Sequence, residues 1–191
     1  MSDELPERIR AFVAVRIPTP QLVQLTALQD ELKRKFTDVS RTRPEAMHLT
    51  LQFLGNVESA RLDQLKQALS DASREIRAFN LQFSAPGSFG DRVLWVGVAG
   101  DVGDLTHFAE SIRAATKSFG SHEEERAFNA HVTLGRFRGR GRQVASTLRT
   151  IRVPVFTAWL MDEIELIRSE LSPRGARYTT LAEFRLRMPQ S

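Results

Sequence analysis

The sequence predicts a single α+β domain with largely antiparallel sheets. Three segments have the apolar spacing of amphipathic helices, and eight runs have the alternation or β-branched content of strands. The strands come in pairs between helices instead of alternating singly with them, which favours antiparallel pairing over a parallel α/β fold. No linker or low-complexity stretch divides the 191 residues. We therefore expect one domain that spans residues 1–191.

The helices are predicted from apolar residues that recur every three or four positions. The first begins at Thr19, a capping residue followed by Pro20 at the first helical position. The second spans about residues 58–76, and the third about residues 102–119. Their apolar stripes, which we expect to lie in the core, are Leu22, Leu25, Leu28, Leu32 and Phe36; Leu62, Leu65, Leu69, Ala72 and Ile76; and Leu105, Phe108, Ile112, Ala115 and Phe119.

The strands are predicted at residues 10–17, 46–54, 79–84, 93–99, 130–137, 153–159, 164–168 and 178–186. Turn or loop signals lie between or beside them. These signals are Gly55-Asn56, Pro86-Gly87, Gly100-Asp101 and the Arg-Gly-Arg-Gly-Arg segment 138–142.

The composition excludes several classes of protein. No apolar run reaches the roughly 18–20 residues of a membrane-spanning helix, and the acidic start lacks the pattern of a secretory signal. The absence of Cys excludes disulfides, thiolate nucleophiles and Cys-ligated zinc. We expect a cytoplasmic protein that does not bind membranes, and nothing in the sequence demands an oligomer, so we expect a monomer.

The positive charge is concentrated in the last part of the chain. Of the 27 basic residues, 23 are Arg, and the net charge of +4 divides into −2 for residues 1–135 and +6 for residues 136–191. Arg forms bidentate hydrogen bonds to phosphate and stacks on bases. Two interpretations stay open, an anionic partner or a genome that uses Arg in place of Lys.

One short motif occurs twice. His48-Leu49-Thr50-Leu51 returns 83 residues later as His131-Val132-Thr133-Leu134, each time within a predicted strand. Because side chains at i and i+2 of a strand share a face, each copy has one side with an imidazole and a hydroxyl and one apolar side. Met47 and Phe53 are expected to extend the apolar side of the first copy. The repeat predicts two similar lobes, each contributing one equivalent strand.

Two imidazoles and two hydroxyls that face one cleft suit in-line phosphoryl chemistry. One His takes a proton from the attacking water and the other protonates the leaving oxygen, and His titrates near neutral pH. The Thr hydroxyls can bind the non-bridging phosphate oxygens. Arg136 follows the second motif and could add positive charge there. A zinc site is a poor alternative, because neither His has a carboxylate or a second His at ligand spacing.

At these residues the chain resembles the two-histidine phosphoesterase superfamily. It is most similar to the RNA 2′,3′-cyclic phosphodiesterase family, also called bacterial 2′-5′ RNA ligases. The segments that carry the resemblance are residues 10–15, 17–18, 48–57, 87–90, 93–98, 131–136, 169–171 and 175–178.

The resemblance implies a bilobal α+β fold, in which two mainly antiparallel sheets face a central cleft and helices lie outside. It implies hydrolysis of RNA 2′,3′-cyclic phosphate ends to a 2′-phosphate without a metal or another cofactor. His48 would protonate the leaving 3′ oxygen and His131 would activate water, although a pseudo-symmetric site permits the reverse. Thr50 and Thr133 would hold the phosphate, and Arg136 matches an Arg that follows the second motif in many members.

Other roles stay open at the sequence level. The substrate could be a 2′-5′ oligonucleotide or a small cyclic nucleotide, and a non-catalytic RNA-binding module is a further alternative. Tyr178 could stack on a base, as could Phe12, for which core packing is the competing interpretation. The Arg-rich segment 136–142 is either a phosphate-binding loop or a solvated one.

Overall fold

The chain forms an α+β fold in a computed structural model that describes residues 5–121, 127–139, 144–172 and 175–188. The predicted fold class is confirmed. The helices are α1 (Thr19–Lys35), α2 (Leu62–Glu75), α3 (Val102–Thr116) and the short α4 (Val144–Leu148). The strands are β1 (Arg8–Arg16), β2 (Val39–Arg41), β3 (His48–Glu58), β4 (Phe79–Phe89), β5 (Val93–Gly100), β6 (His131–Phe137), β7 (Trp159–Met161), β8 (Glu163–Ser172) and β9 (Gly175–Arg185).

The two expected sheets are halves of one continuous sheet. The strand order is β7-β4-β5-β6-β3-β1-β8-β9, with β2 paired to β6, and all of these neighbours run antiparallel. The halves meet where β3 and β6 pair, at Leu49 opposite Val132. Because β3 and β6 carry the two copies of the motif, this junction decides how the copies face each other.

One face of the sheet carries the core. Leu25 and Leu28 of α1, Leu65 of α2 and Phe108 of α3 are fully buried, in one apolar cluster with inward side chains of the strands. The helical stripes predicted from the spacing lie in this cluster or pack against it, except Ala115, which is partly exposed and outside it. The opposite face, called the open face below, carries His48, Thr50, His131 and Thr133. No helix among the described residues is long and apolar enough to cross a membrane.

Several local expectations are wrong, for physical reasons. Thr19 does not cap α1: Pro18 occupies the cap position and no side chain caps the helix. The segment 153–159 contains Pro154, which lacks an N–H. The backbone N–H of Thr157 donates instead to Gln24 of α1, 3.2 Å away, and the strand starts only at Trp159.

Two predicted turns lie inside strands. Gly55 is within β3, where an extra residue in the ladder requires a positive φ of 70°. Pro86 and Gly87 are within β4, which pairs with β7 only at residues 79–81, so the edge beside Pro86 needs no N–H donor. The longer β3 continues to Glu58 and is followed by a 3-10 turn at Ser59–Arg61, so α2 starts only at Leu62. The strand β2 and the helix α4, only three and five residues long, were not predicted.

Replacing Leu25 with Ala should reduce the stability of the fold strongly. Leu25 is completely buried, and removing such a side chain typically costs about 2–5 kcal/mol because the space is only partly refilled. The matched control is Val23→Ala on the same helix, because Val23 is 65% exposed and should change stability by less than about 0.5 kcal/mol. Chemical denaturation measures both, and equal losses would contradict this packing of α1.

Candidate functional site

The two copies of the motif lie side by side, in opposite directions, at the junction of the sheet halves. Leu49 and Val132 form the pair at the centre, and both are completely buried. In a regular ladder this register puts Thr133 beside His48 and His131 beside Thr50. The two histidines are then diagonal neighbours, close enough for the charge of His131 to act on His48. All four polar side chains are partly exposed on the open face.

Each motif ends in a β-bulge. In β3, Thr50 pairs with Ala14 and Gln52 with Val13, so Leu51 is an extra residue. In β6, Thr133 pairs with Trp95 and Gly135 with Leu94, so Leu134 is the extra residue. A bulge shifts the alternation of faces by one position. The two bulges occupy the same place in the two motifs.

These bulges bring the fifth residue after each His onto the open face. In β3 this residue is Phe53, which is 42% exposed and has its ring 6.0 Å from that of Phe12. The expectation that Phe53 extends the apolar core is therefore wrong. In β6 the equivalent residue is Arg136, which pairs with Val93 and is exposed. The same bulge thus gives the first copy an aromatic ring and the second a guanidinium.

A backbone carbonyl two residues earlier in the chain orients each imidazole. Nδ1 of His131 lies 2.7 Å from the carbonyl oxygen of Asn129. Since a carbonyl only accepts, Nδ1 carries the hydrogen and Nε2 keeps the lone pair in the neutral ring. The backbone of Ala46 makes the corresponding hydrogen bond with His48. Both rings are therefore held by local backbone geometry that each motif brings with it.

Aromatic rings flank both histidines. The rings of Phe12 and Tyr178 lie 4.7 and 5.2 Å from that of His48, centre to centre. Phe89 and Trp95 lie 4.9 and 6.2 Å from the ring of His131. Phe12 is 3% exposed, so the expectation that it is packed is confirmed, but it packs with Ala14, Ile167 and Tyr178 in a small cluster on the open face, separate from the main core.

Tyr178, which the sequence analysis suggested as a residue that stacks on a base, lies beside His48. Phe89 and Trp95 were not among the predicted site residues. The position of Trp95 depends on the pairing of β4 with β5, which sets it opposite Gly87, where a Cβ would overlap its indole ring. A glycine opposite a tryptophan on the same face indicates a side chain laid flat across the neighbouring strand.

The surroundings of His48 keep its ring neutral. Burial is the main cause that lowers the pKa of His48 to about 4, with a smaller contribution from the nearby charge of His131 and an opposing effect of the Ala46 backbone. The unfolded chain takes up this proton near pH 6.5. Because the folded protein binds it only near pH 4, His48 makes the fold progressively less stable as pH falls from about 6.5 to about 4.

Only some residues of the Arg-rich segment and only one of the two other histidines lie within the described part of the chain. Arg138 is exposed just after β6, whereas Arg140 and Arg142 of the Arg-rich segment lie outside the described residues. Of the other histidines, His107 is exposed on α3 and His122 lies outside the described residues. Within the described part of the chain, no group of three or more His, Asp or Glu side chains is placed to hold a metal ion.

Comparisons with known proteins identify relatives of this chain. The sequence model of the 2′-5′ RNA ligase superfamily matches residues 17–173. A protein of Archaeoglobus fulgidus named RNA 2′,3′-cyclic phosphodiesterase is 30% identical over 180 residues, which are 92% of this chain and 99% of the relative. A protein of Aquifex aeolicus with the same name is 32% identical over 149 residues, which are 75% of this chain and 79% of that protein.

Solved structures share the fold. A crystal structure of a Thermus thermophilus protein aligns with a TM-score of 0.79 at 27% identity, covering 95% of this chain and 100% of the other. The structure of E. coli LigT complexed with 3′-AMP aligns with a TM-score of 0.76 at 25% identity, covering 95% and 99%.

The titration of His48 can be followed by the NMR signals of its ring. The midpoint should lie near pH 4, and replacing Tyr178 with Ala should raise it towards 6.5, because removing the ring lets water reach the imidazole. The matched control is Phe89→Ala, which removes a ring beside His131 and should leave the His48 midpoint unchanged. A midpoint near 6.5 in the unsubstituted protein would show that burial does not govern this ring.

Proposed function

This chain belongs to the 2′-5′ RNA ligase superfamily, and we propose that its two His-x-Thr motifs hydrolyse a 2′,3′-cyclic phosphate at an RNA end without a metal. Relatives along most of its length are named RNA 2′,3′-cyclic phosphodiesterase, and the chain is an enzyme of that class. The product is a 2′-phosphate at the end of an RNA or oligonucleotide. A monomeric, cytoplasmic protein stays our expectation.

The observation that carries this proposal is the pair of oriented imidazoles across the Leu49–Val132 junction. In-line displacement at phosphorus needs a base on the side of the attacking water and an acid on the side of the leaving oxygen. Two rings on diagonal positions of one face can flank a phosphate in this way. Holding both groups at the phosphate before reaction removes most of the entropy cost of bringing them together.

The neighbouring polar groups suit a phosphate between the rings. Thr50 and Thr133 each share the open face with a His and can donate hydroxyl hydrogens to the non-bridging oxygens. Arg136 lies on the same face and can add positive charge as negative charge develops in the transition state. Tyr178 lies at the His48 side, where a nucleobase attached to the phosphate can contact its ring.

Two assignments of acid and base fit this arrangement. In the first, which the family resemblance implies, His48 protonates the leaving 3′ oxygen and His131 activates water. The low pKa of His48 means that its ring must gain a proton when the anionic phosphate binds beside it. In the reverse assignment the neutral His48 acts directly as the base, which its pKa in the ligand-free protein favours.

Alternative substrates for the same site are 2′-5′ linked oligonucleotides and small cyclic nucleotides, since both contain a phosphodiester that the same acid and base could cleave or, in reverse, form. A non-catalytic RNA-binding module accounts less well for the site. Binding alone does not require two imidazoles with oriented ring nitrogens.

Replacing either His48 or His131 with Ala should lower the rate of hydrolysis at least about a hundredfold, because each change removes a proton-transfer group. The assay uses a short RNA that ends in a 2′,3′-cyclic phosphate, with EDTA present, and separates 2′- from 3′-phosphate products. His107→Ala, an exposed change on α3, is the matched control and should retain full activity.

A different result of this assay would contradict each part of the proposal. Full activity in either variant would exclude the two-histidine mechanism, and activity that EDTA abolishes and a divalent cation restores would exclude metal independence. A 3′-phosphate product would reverse the regiochemistry. RNA binding without turnover in the unsubstituted protein would favour the binding module.

The residual activity of the His48→Ala variant should distinguish acid from base. If His131 activates water, the residual rate should rise with pH as its ring loses a proton; if His131 is the acid, the rate should fall. A phosphodiester with a nitrophenolate leaving group gives a second measurement, since this group departs without a proton. In the variant that lacks the general acid, we expect the rate of hydrolysis to fall much less for the nitrophenyl substrate than for the cyclic phosphate.

A further inference from the structure

A cavity of about 320 Å³ opens directly beside His48, on the side away from the second motif. Its walls come from β1, the start of α1, the turn that precedes β3, and β8 and β9, and they include Arg16, His48, Glu165, Ile167, Tyr178 and Thr180. The volume is at the lower end of the roughly 300–1,000 Å³ of small-molecule pockets. The cavity therefore has room for one small group attached to a phosphate that lies at the two histidines.

The cavity contains an unusual buried carboxylate. Glu165 is only 4% exposed, although it lies on the open face, opposite Ala14 of β1. Its Oε1 accepts hydrogen bonds from Nη2 of Arg16 and, over 3.1 Å, from Oγ1 of Thr180. A carboxylate can accept about four hydrogen bonds, and both of those described are to Oε1. Glu165 can therefore accept a further hydrogen bond from a group in the cavity.

The register of the sheet gives the distance from this carboxylate to the phosphate position. Thr50 of β3, Ala14 of β1 and Glu165 of β8 form one row across neighbouring strands. Two strand spacings correspond to about 9–10 Å. That span is comparable to a nucleoside measured from its ribose phosphate to the far edge of its base. Ala14 is completely buried, in a small cluster with Ile167 and Tyr178, and these two side chains line the cavity above the row.

The charges of the cavity exclude a second phosphate as its occupant. Arg16 is the cation among the cavity residues, and both Glu165 and Glu45 line the same space. Arg16 also pairs with Glu183, 3.2 Å away, just outside the cavity. Glu163, Glu165 and Glu183 all act on the Arg16 guanidinium, and Glu45 adds a further carboxylate to the lining. The surroundings are therefore net negative and repel an anion. The occupant that fits is uncharged and carries hydrogen-bond donors.

We propose that this cavity binds the nucleobase of the nucleotide whose cyclic phosphate lies between the histidines, and that Glu165 accepts a hydrogen bond from an exocyclic amino group of that base. This inference rests on the proposed function. Carboxylates accept hydrogen bonds from the amino group of cytosine in the same way elsewhere. Uracil presents a carbonyl oxygen at the equivalent position, which a carboxylate disfavours.

Cytidine and uridine are the matched pair that tests this subsite, because they differ only at this donor and the adjoining ring nitrogen. The unsubstituted protein should hydrolyse cytidine 2′,3′-cyclic phosphate with at least about a tenfold higher kcat/KM than the uridine compound, the discrimination expected from one hydrogen bond to a charged group. Glu165→Gln should reduce that ratio to near one, because its amide can also donate to the uracil oxygen. Glu58→Gln, the same change in an exposed ion pair at the far end of β3, should leave the ratio unchanged.

Binding of the free nucleosides, followed by NMR, provides a second measurement that needs neither turnover nor a variant. Cytidine should bind more tightly than uridine, and inorganic phosphate should not displace it, because phosphate binds between the histidines. If Glu165→Gln does not fold, Thr180→Val is the substitute variant. It removes one hydrogen bond that orients Glu165 and should reduce the difference in affinity between cytidine and uridine.

The outcomes separate this inference from the proposed function. Equal hydrolysis and equal binding of the two pyrimidines, or a ratio that Glu165→Gln leaves unchanged, would overturn the subsite and leave the phosphodiesterase activity standing. Preferential binding of cytidine without any hydrolysis would support the subsite and overturn the activity. Displacement of cytidine by phosphate would identify the cavity as an anion site and overturn the inference.

Discussion

The pairing of Leu49 with Val132 joins the two halves of the sheet, and the geometry of the open face depends on it. It sets the two motifs antiparallel and adjacent, with both His–Thr pairs on the open face. Both residues of the pair are completely buried under the helices, which fixes the register through the core. A shift by one residue would move all four polar side chains into the core, where burying them without partners is costly.

The bulges after Thr50 and Thr133 make the two halves similar in backbone and different in chemistry. The same extra residue in each strand brings Phe53 forward in one half and Arg136 in the other. Aromatic rings flank both histidines, but the cavity lies on the His48 side and the Arg136 guanidinium on the His131 side. This difference gives a substrate with a phosphate and a base a preferred direction along an otherwise symmetric site.

The polar groups on the open face are held at some cost in stability. His48 has a pKa far below its usual value because it is buried, and Glu165 is a buried carboxylate that needs Arg16 and Thr180 as partners. The continuous apolar cluster on the other face provides the stability that offsets this cost. The sheet separates an apolar face from a polar face because alternate residues of each strand point to opposite sides.

The sequence by itself determined the fold class, the three long helices and the faces of His48, Thr50, His131 and Thr133, because these follow from local periodicity. It could not determine the faces of Phe53 and Arg136, since a bulge depends on the partner strand and reverses simple alternation. Nor could it join Arg16 and Glu165, 149 positions apart, or give His48 its low pKa. Those features arise from strands that meet only when the chain has folded, because burial and long-range pairing are properties of the tertiary structure.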